Sequence, residues 1–110
     1  DFLRAKLAPT YKPTGPYVVP ATFVDDPQDL TITLRLNGEV MQHESTADMV
    51  FDVATLISYC SRQAQLLPGD LVLTGSPAGN GTHYGRFLQD GDRLEGEISG
   101  LGVQRNRCVT

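Results

Sequence analysis

The sequence predicts a strand-dominated α+β domain, and three observations carry that prediction. Leu30-Thr31-Ile32-Thr33-Leu34-Arg35-Leu36 alternates strictly and runs into Asn37-Gly38, the pair favoured where both central residues of a hairpin turn need positive φ. Helical spacing recurs over one stretch, residues 52–64. The other apolar runs are short and are separated by Gly, Pro and Asp turns.

Each element follows from its residues. Phe2 to Leu7 is too short to classify. Pro9, Pro13, Gly15 and Pro16 then require an ordered loop over residues 8–16, and Tyr17-Val18-Val19 reads as a strand stopped by Pro20. Asp25-Asp26-Pro27-Gln28-Asp29 is a solvated turn; its adjacent carboxylates have no acidic partner at metal-site spacing. In the hairpin, Leu30, Ile32, Leu34 and Leu36 share a face, and Glu39 to Glu44 returns as the second strand. A regular register puts Ile32 opposite His43, which a hydrogen-bonded structural histidine or a bulge explains more simply than catalysis.

Ser45 to Met49 is a polar bend. Asp52 is the N-cap of a helix over about 52–64, with Val53, Leu56, Ile57, Cys60 and Ala64 on its apolar face, expected to pack on the hairpin sheet. Leu71-Val72-Leu73 reads as a strand buried on both faces. Asp90-Gly91-Asp92 turns the chain, Arg93 to Ser99 alternates with Leu94 and Ile98 inward, and Val103 to Val109 is a final strand.

Composition bounds the function. The 110 residues are 40% hydrophobic and 20% charged, enough for one small core and unlike a disordered chain. A net charge of −4 and a pI near 4.9 argue against nucleic acid or an anionic membrane as the main partner. No apolar run is long enough to span a bilayer and no signal-peptide pattern opens the chain. Cys60 and Cys108 lack metal-site spacing and read as buried thiols in a reducing compartment, the cytoplasm, with a bridge between them left open. The start at Asp1-Phe2-Leu3, without an initiator Met, reads as a fragment or a processed product.

The stretch with most chemical content is Leu67-Pro68-Gly69-Asp70-Leu71-Val72-Leu73-Thr74-Gly75-Ser76-Pro77-Ala78-Gly79-Asn80-Gly81. An apolar run ending in small, hydroxylated and glycine residues delivers backbone N–H groups and a hydroxyl to an anion or carbonyl oxygen. On physical grounds alone an ordinary loop joining two strands is the plainer reading. Lys6 is likewise either a solvated side chain or a cation held beside the rigid Pro/Gly loop.

Taken together, these segments are similar to the C-terminal half of the fumarylacetoacetate hydrolase family. Lys6, Thr10 and Pro13-Thr14-Gly15-Pro16-Tyr17-Val18-Val19 resemble its lysine and Leu-Gly-Pro-Trp segment. Asp29 to Gln42 resembles its hairpin, and Ser45-Thr46-Ala47-Asp48-Met49-Val50-Phe51 the segment before its helix. Thr74-Gly75-Ser76-Pro77-Ala78-Gly79 resembles its substrate loop, commonly Thr-Gly-Thr-Pro-x-Gly, and Asp90-Gly91-Asp92 with Gly96 to Gly102 its closing strands.

The resemblance implies a mixed-sheet, roll-like fold with one main helix, of which residues 1–110 are a partial domain lacking the N-terminal half. It implies a cytoplasmic homodimer that cleaves a carbon–carbon bond in a β-diketo or 2-oxo acid on Mg²⁺ or Mn²⁺, with Ca²⁺ an alternative, in aromatic or sugar-acid catabolism. Related members isomerise, hydrate or decarboxylate such acids. By position, Lys6 matches the active-site lysine, Ser76 the substrate-binding hydroxyl flanked by Thr74 and Gly75, and Thr10 a residue near a second cation. The family's main ligands, a Glu-x-Glu pair and an Asp, precede its lysine and are not in this chain. Glu95 and Glu97 have the spacing but lie in the closing strands, where solvation is the ordinary outcome. A non-catalytic acid-binding remnant is the alternative. A phosphate-binding module is the weakest reading, because no Gly-Lys-Ser/Thr and no helix signal follow the glycines.

Overall fold

The structure, a computed structural model, describes residues 8–109. Its centre is a four-stranded antiparallel sheet formed by β1 (Thr31–Leu36), β2 (Glu39–Ser45), β3 (Arg93–Ile98) and β4 (Gly102–Arg107), in the order β2-β1-β3-β4. Helix α1 (Val53–Gln63) and a single helical turn, α2 (Gly81–Tyr84), lie between β2 and β3, and 3₁₀ turns occupy Ala21–Phe23 and Thr46–Asp48. The α+β, strand-dominated class is therefore as the sequence predicts, although every strand pair among the described residues is antiparallel rather than mixed.

The β1–β2 hairpin closes at Asn37 (φ 52°) and Gly38 (φ 90°), the two positive values the turn requires. Its register departs from the regular one. Arg35 pairs with Val40 but Leu34 pairs with Gln42, so Met41 is an extra residue and β2 carries a bulge. The shift puts His43 opposite Thr33 instead of Ile32, and His43 Nδ1 lies 3.0 Å from Thr33 Oγ1. It also turns Gln42 onto the face of Leu34.

The sheet thus has two unlike faces. Ile32, Leu34, Leu36, Leu94 and Ile98 share one, and Leu36, at the hairpin-turn end, is buried. The other carries charge: Arg35 Nη1 is 3.5 Å from Glu95 and 3.3 Å from Glu97, and Arg105 Nε is 2.7 Å from Glu95. The Glu95/Glu97 pair is thereby engaged by two arginines rather than simply solvated, as unlike charges on adjacent strands of one face will be.

Helix α1 starts where its cap predicts, with Asp52 Oδ1 accepting from Thr55 N at 2.6 Å. The Thr55 side chain, and then its backbone N–H, hold the Asp52 carboxyl below its ordinary range. Three expectations fail. Residues 17–19 and 71–73 form no strand, and Val18, Leu71 and Leu73 are 86%, 70% and 74% exposed. An apolar run marks surface to be removed from water, but a ladder needs a neighbouring strand, and no described segment pairs with either. The thiols Cys60 and Cys108 are free and half-buried rather than buried.

Candidate functional site

A cavity of 430 Å³ opens at the β1–β2 end of the apolar face, and its two walls are built by separate local devices. The first wall begins where β2 stops. Ser45 Oγ accepts from Ala47 N at 3.1 Å and starts the 3₁₀ turn, while Thr46 Oγ1 accepts from Leu30 N at 2.9 Å. Gln28 ties this turn to the helix: its Nε2 donates to Thr46 O at 3.1 Å, and its Oε1 accepts from Val53 N at 2.9 Å. Phe51 and Leu56 are thereby brought to the cavity beside Ile32, with Glu44 and Asp48 supplying carboxylates.

The second wall is the extended segment Thr74-Gly75-Ser76-Pro77-Ala78. It enters through a turn in which Pro68 and Gly69 (φ 100°) are central, Asp70 N donates to Leu67 O at 3.1 Å, and Leu67 N donates to Asp70 Oδ2 at 2.8 Å. It is latched onto the bulge of β2. Gln42 Nε2 donates to Pro77 O at 2.8 Å and Tyr84 Oη donates to Met41 O at 3.0 Å. Gly79 (φ 91°) lies so close to the Met41 carbonyl that a Cβ would overlap it.

The latch explains α2, a helical turn that follows the glycines where the sequence reading finds no helix signal. Asn80 Oδ1 accepts from His83 N at 3.1 Å, and Gly85 closes the turn in the left-handed conformation. An N-cap Asn followed by Gly five residues on was a readable signal. Gln42 carried none, since in a regular hairpin it faces away from the loop.

Of the predicted site residues, Thr74, Gly75 and Ser76 come together on the cavity wall. Their N–H groups and the two hydroxyls have no hydrogen-bond partner among the described residues. Lys6 lies outside the described residues. Thr10 is exposed, adopts φ 72° and does not line this cavity. No group of three or more His, Cys, Asp or Glu suited to a metal occurs among the described residues. The described residues do not by themselves fit a divalent cation. No described helix is long and apolar enough to cross a membrane.

The loop over residues 8–16 is seated on the same face at the opposite edge. Gln104 Nε2 of β4 donates to Gly15 O at 2.8 Å, and the Tyr17 ring lies against Gly102. Over residues 1–109 the chain matches the family model described as fumarylacetoacetate (FAA) hydrolase C-terminal. The chain belongs to the fumarylacetoacetate hydrolase family.

Within that family it is 43% identical over 111 residues to the mitochondrial oxaloacetate tautomerase of Bos taurus, covering 99% of this chain and 35% of the relative. It is 45% identical over 107 residues to the 2,4-didehydro-3-deoxy-L-rhamnonate hydrolase of a Sphingomonas species, covering 94% and 38%. Among solved structures it is similar to maleylpyruvate hydrolase from Sphingobium sp. SYK-6 in complex with manganese(II) and pyruvate, with a TM-score of 0.80, 34% identity and coverage of 86% and 34%. The chain therefore spans little more than a third of the length of these fumarylacetoacetate hydrolase relatives.

Proposed function

We propose that this chain is the C-terminal part of a longer, homodimeric enzyme that hydrolyses a carbon–carbon bond in a β-diketo or 2-oxo acid. The observation that carries the reading is the placement of Thr74, Gly75 and Ser76, with unpartnered donors, on the wall of a cavity sized for a small acid. The exposed Leu71, Leu73 and Phe87 support the larger protein, because apolar surface of that extent is ordinarily covered. A divalent cation, Mg²⁺ or Mn²⁺, is part of the proposal, with its carboxylate ligands outside the described residues.

In such a reaction the hydroxyl of water adds to the distal carbonyl carbon and the adjacent carbon–carbon bond breaks. The electron pair passes into the enolate of the departing 2-oxo acid, which then takes up a proton. Ser76 and the neighbouring N–H groups are donors for a substrate carboxylate or carbonyl oxygen. Lys6 supplies positive charge where the enolate oxygen becomes negative.

The 43% identity to an oxaloacetate tautomerase favours a second reading on the same site, keto–enol interconversion of a 2-oxo dicarboxylate, in which no carbon–carbon bond breaks. Assays of the full-length protein with acylpyruvates and with enol-oxaloacetate separate the two. Pyruvate released from an acylpyruvate supports hydrolysis, and proton transfer without cleavage supports tautomerisation. Activity on neither class overturns both.

A further inference from the structure

The two loops at this face hang from the two ends of one cross-strand row. Gln104 pairs with Gly96, Gly96 with Leu34, and Leu34 with Gln42, so the four residues form a line across β4, β3, β1 and β2. Paired residues on adjacent antiparallel strands point to the same side. Both terminal glutamines use the same group in the same way: Gln42 Nε2 donates to Pro77 O and Gln104 Nε2 to Gly15 O, each at 2.8 Å.

Three strand spacings of about 4.8 Å separate the glutamines by about 14 Å, a width suited to a small ligand between two loops. Between them stand Leu34 and Gly96; Gly96 has no side chain, and a Cβ there would meet nothing within 4 Å, so the row is open at that position. Gln42 is 8% exposed and stands on this face because Met41 is bulged. Without the bulge it would share a face with Thr33.

We infer that Gln42 and Gln104 are a matched pair of positioning residues, Gln42 setting the Thr74–Ser76 segment and Gln104 the Pro13–Pro16 loop about a common small-acid site. The inference rests on the function proposed above for Ser76. Each amide fixes a loop carbonyl, and the loop in turn fixes the donors that meet the ligand. Neither glutamine touches the ligand.

The test uses the full-length protein with Gln42→Met, Gln42→Glu, Gln104→Met and Ser76→Ala. Two readouts apply: backbone order parameters from nitrogen-15 relaxation over segments 74–78 and 12–16, and calorimetric affinity for pyruvate in the presence of Mn²⁺. Gln42→Met should lower the order parameters of 74–78 alone, Gln104→Met those of 12–16 alone, and each should weaken pyruvate about tenfold, the usual scale for one lost hydrogen bond. Gln42→Glu, the same size but presenting a carboxylate to the Pro77 carbonyl, should weaken pyruvate more than Gln42→Met does.

Unchanged loop order parameters, order lowered equally throughout the domain, or equal affinities in the Gln42→Glu and wild-type proteins would overturn the positioning role. Ser76→Ala separates the two levels. If it leaves pyruvate affinity intact, the reading of the site fails. If it weakens pyruvate while both methionine variants bind normally, only the positioning role fails.

Discussion

Arg86 and Asp92 form a two-pronged ion pair at the base of the sheet, with Arg86 Nη2 2.8 and 2.9 Å from the two carboxylate oxygens of Asp92. Asn37 Nδ2 at 2.8 Å and Gln89 N at 2.7 Å complete the set, so a buried carboxylate joins the hairpin turn, the segment after α2 and the start of β3. The Arg86 hydrogen bond, followed by those from Asn37 and Gln89, lowers the Asp92 pKa to about 2.

That depression fixes the sign of a pH effect. The folded state binds the Asp92 proton less readily than the unfolded chain does, so the stabilisation is present above the ordinary carboxylate value near pH 4. It is lost as pH falls from there through about 2. Urea unfolding of wild type and Asp92→Asn from pH 6 to 2 should show a wide gap in midpoint at pH 6 that narrows steadily below pH 4. A gap constant across that range would remove Asp92 from the account of acid sensitivity.

The latch between Gly79 and the β2 bulge makes a second prediction. Gly79→Ala must relieve both a left-handed φ and an overlap with the Met41 carbonyl, and should destabilise by more than about 1 kcal/mol in urea titrations. Gly96→Ala meets open space without a positive φ and should be neutral or stabilising by about 0.5–1 kcal/mol. Equal effects at the two positions would mean that the loop is not seated on the bulge.

Lys6→Met should leave the melting temperature of the full-length protein nearly unchanged while lowering turnover of an acylpyruvate about a hundredfold or more, the scale on which an electrostatic stabiliser acts. Steady-state kinetics with parallel calorimetric melting checks both halves. Unchanged turnover would remove Lys6 from the site.

Much of the fold was legible because it is encoded locally. The Asn37-Gly38 turn, the alternation of β1 and the Asp52 cap each need only neighbouring residues, and each stands where the sequence puts it. A bulge was one of the two readings the sequence offered for His43, but its place at Met41 was not legible, because the partners Pro77, Gly79 and Tyr84 come from a loop more than 30 residues away. One extra residue reverses the faces of Gln42 and His43, so alternation alone misplaces both. Leu71 to Leu73 was legible as an apolar run but not as a strand, since the run does not specify its neighbour. At the site, Thr74 to Ser76 stood out by composition, whereas Gln42 and Gln104 look like any polar residues of alternating strands.

In the proposed enzyme the segment carrying Ser76 and the segment carrying Lys6 grip one small acid from two sides. A crystal structure of the full-length protein with pyruvate tests this most directly. The account predicts the ligand between the two loops, with a carboxylate or keto oxygen in hydrogen-bond range of the Ser76 hydroxyl and the Lys6 Nζ within roughly 10 Å of that hydroxyl, the reach of one small ligand in a pocket. An ordered ligand bound elsewhere, or a well-packed Phe2 and Leu3 with Lys6 directed to the charged face of the sheet, would contradict it.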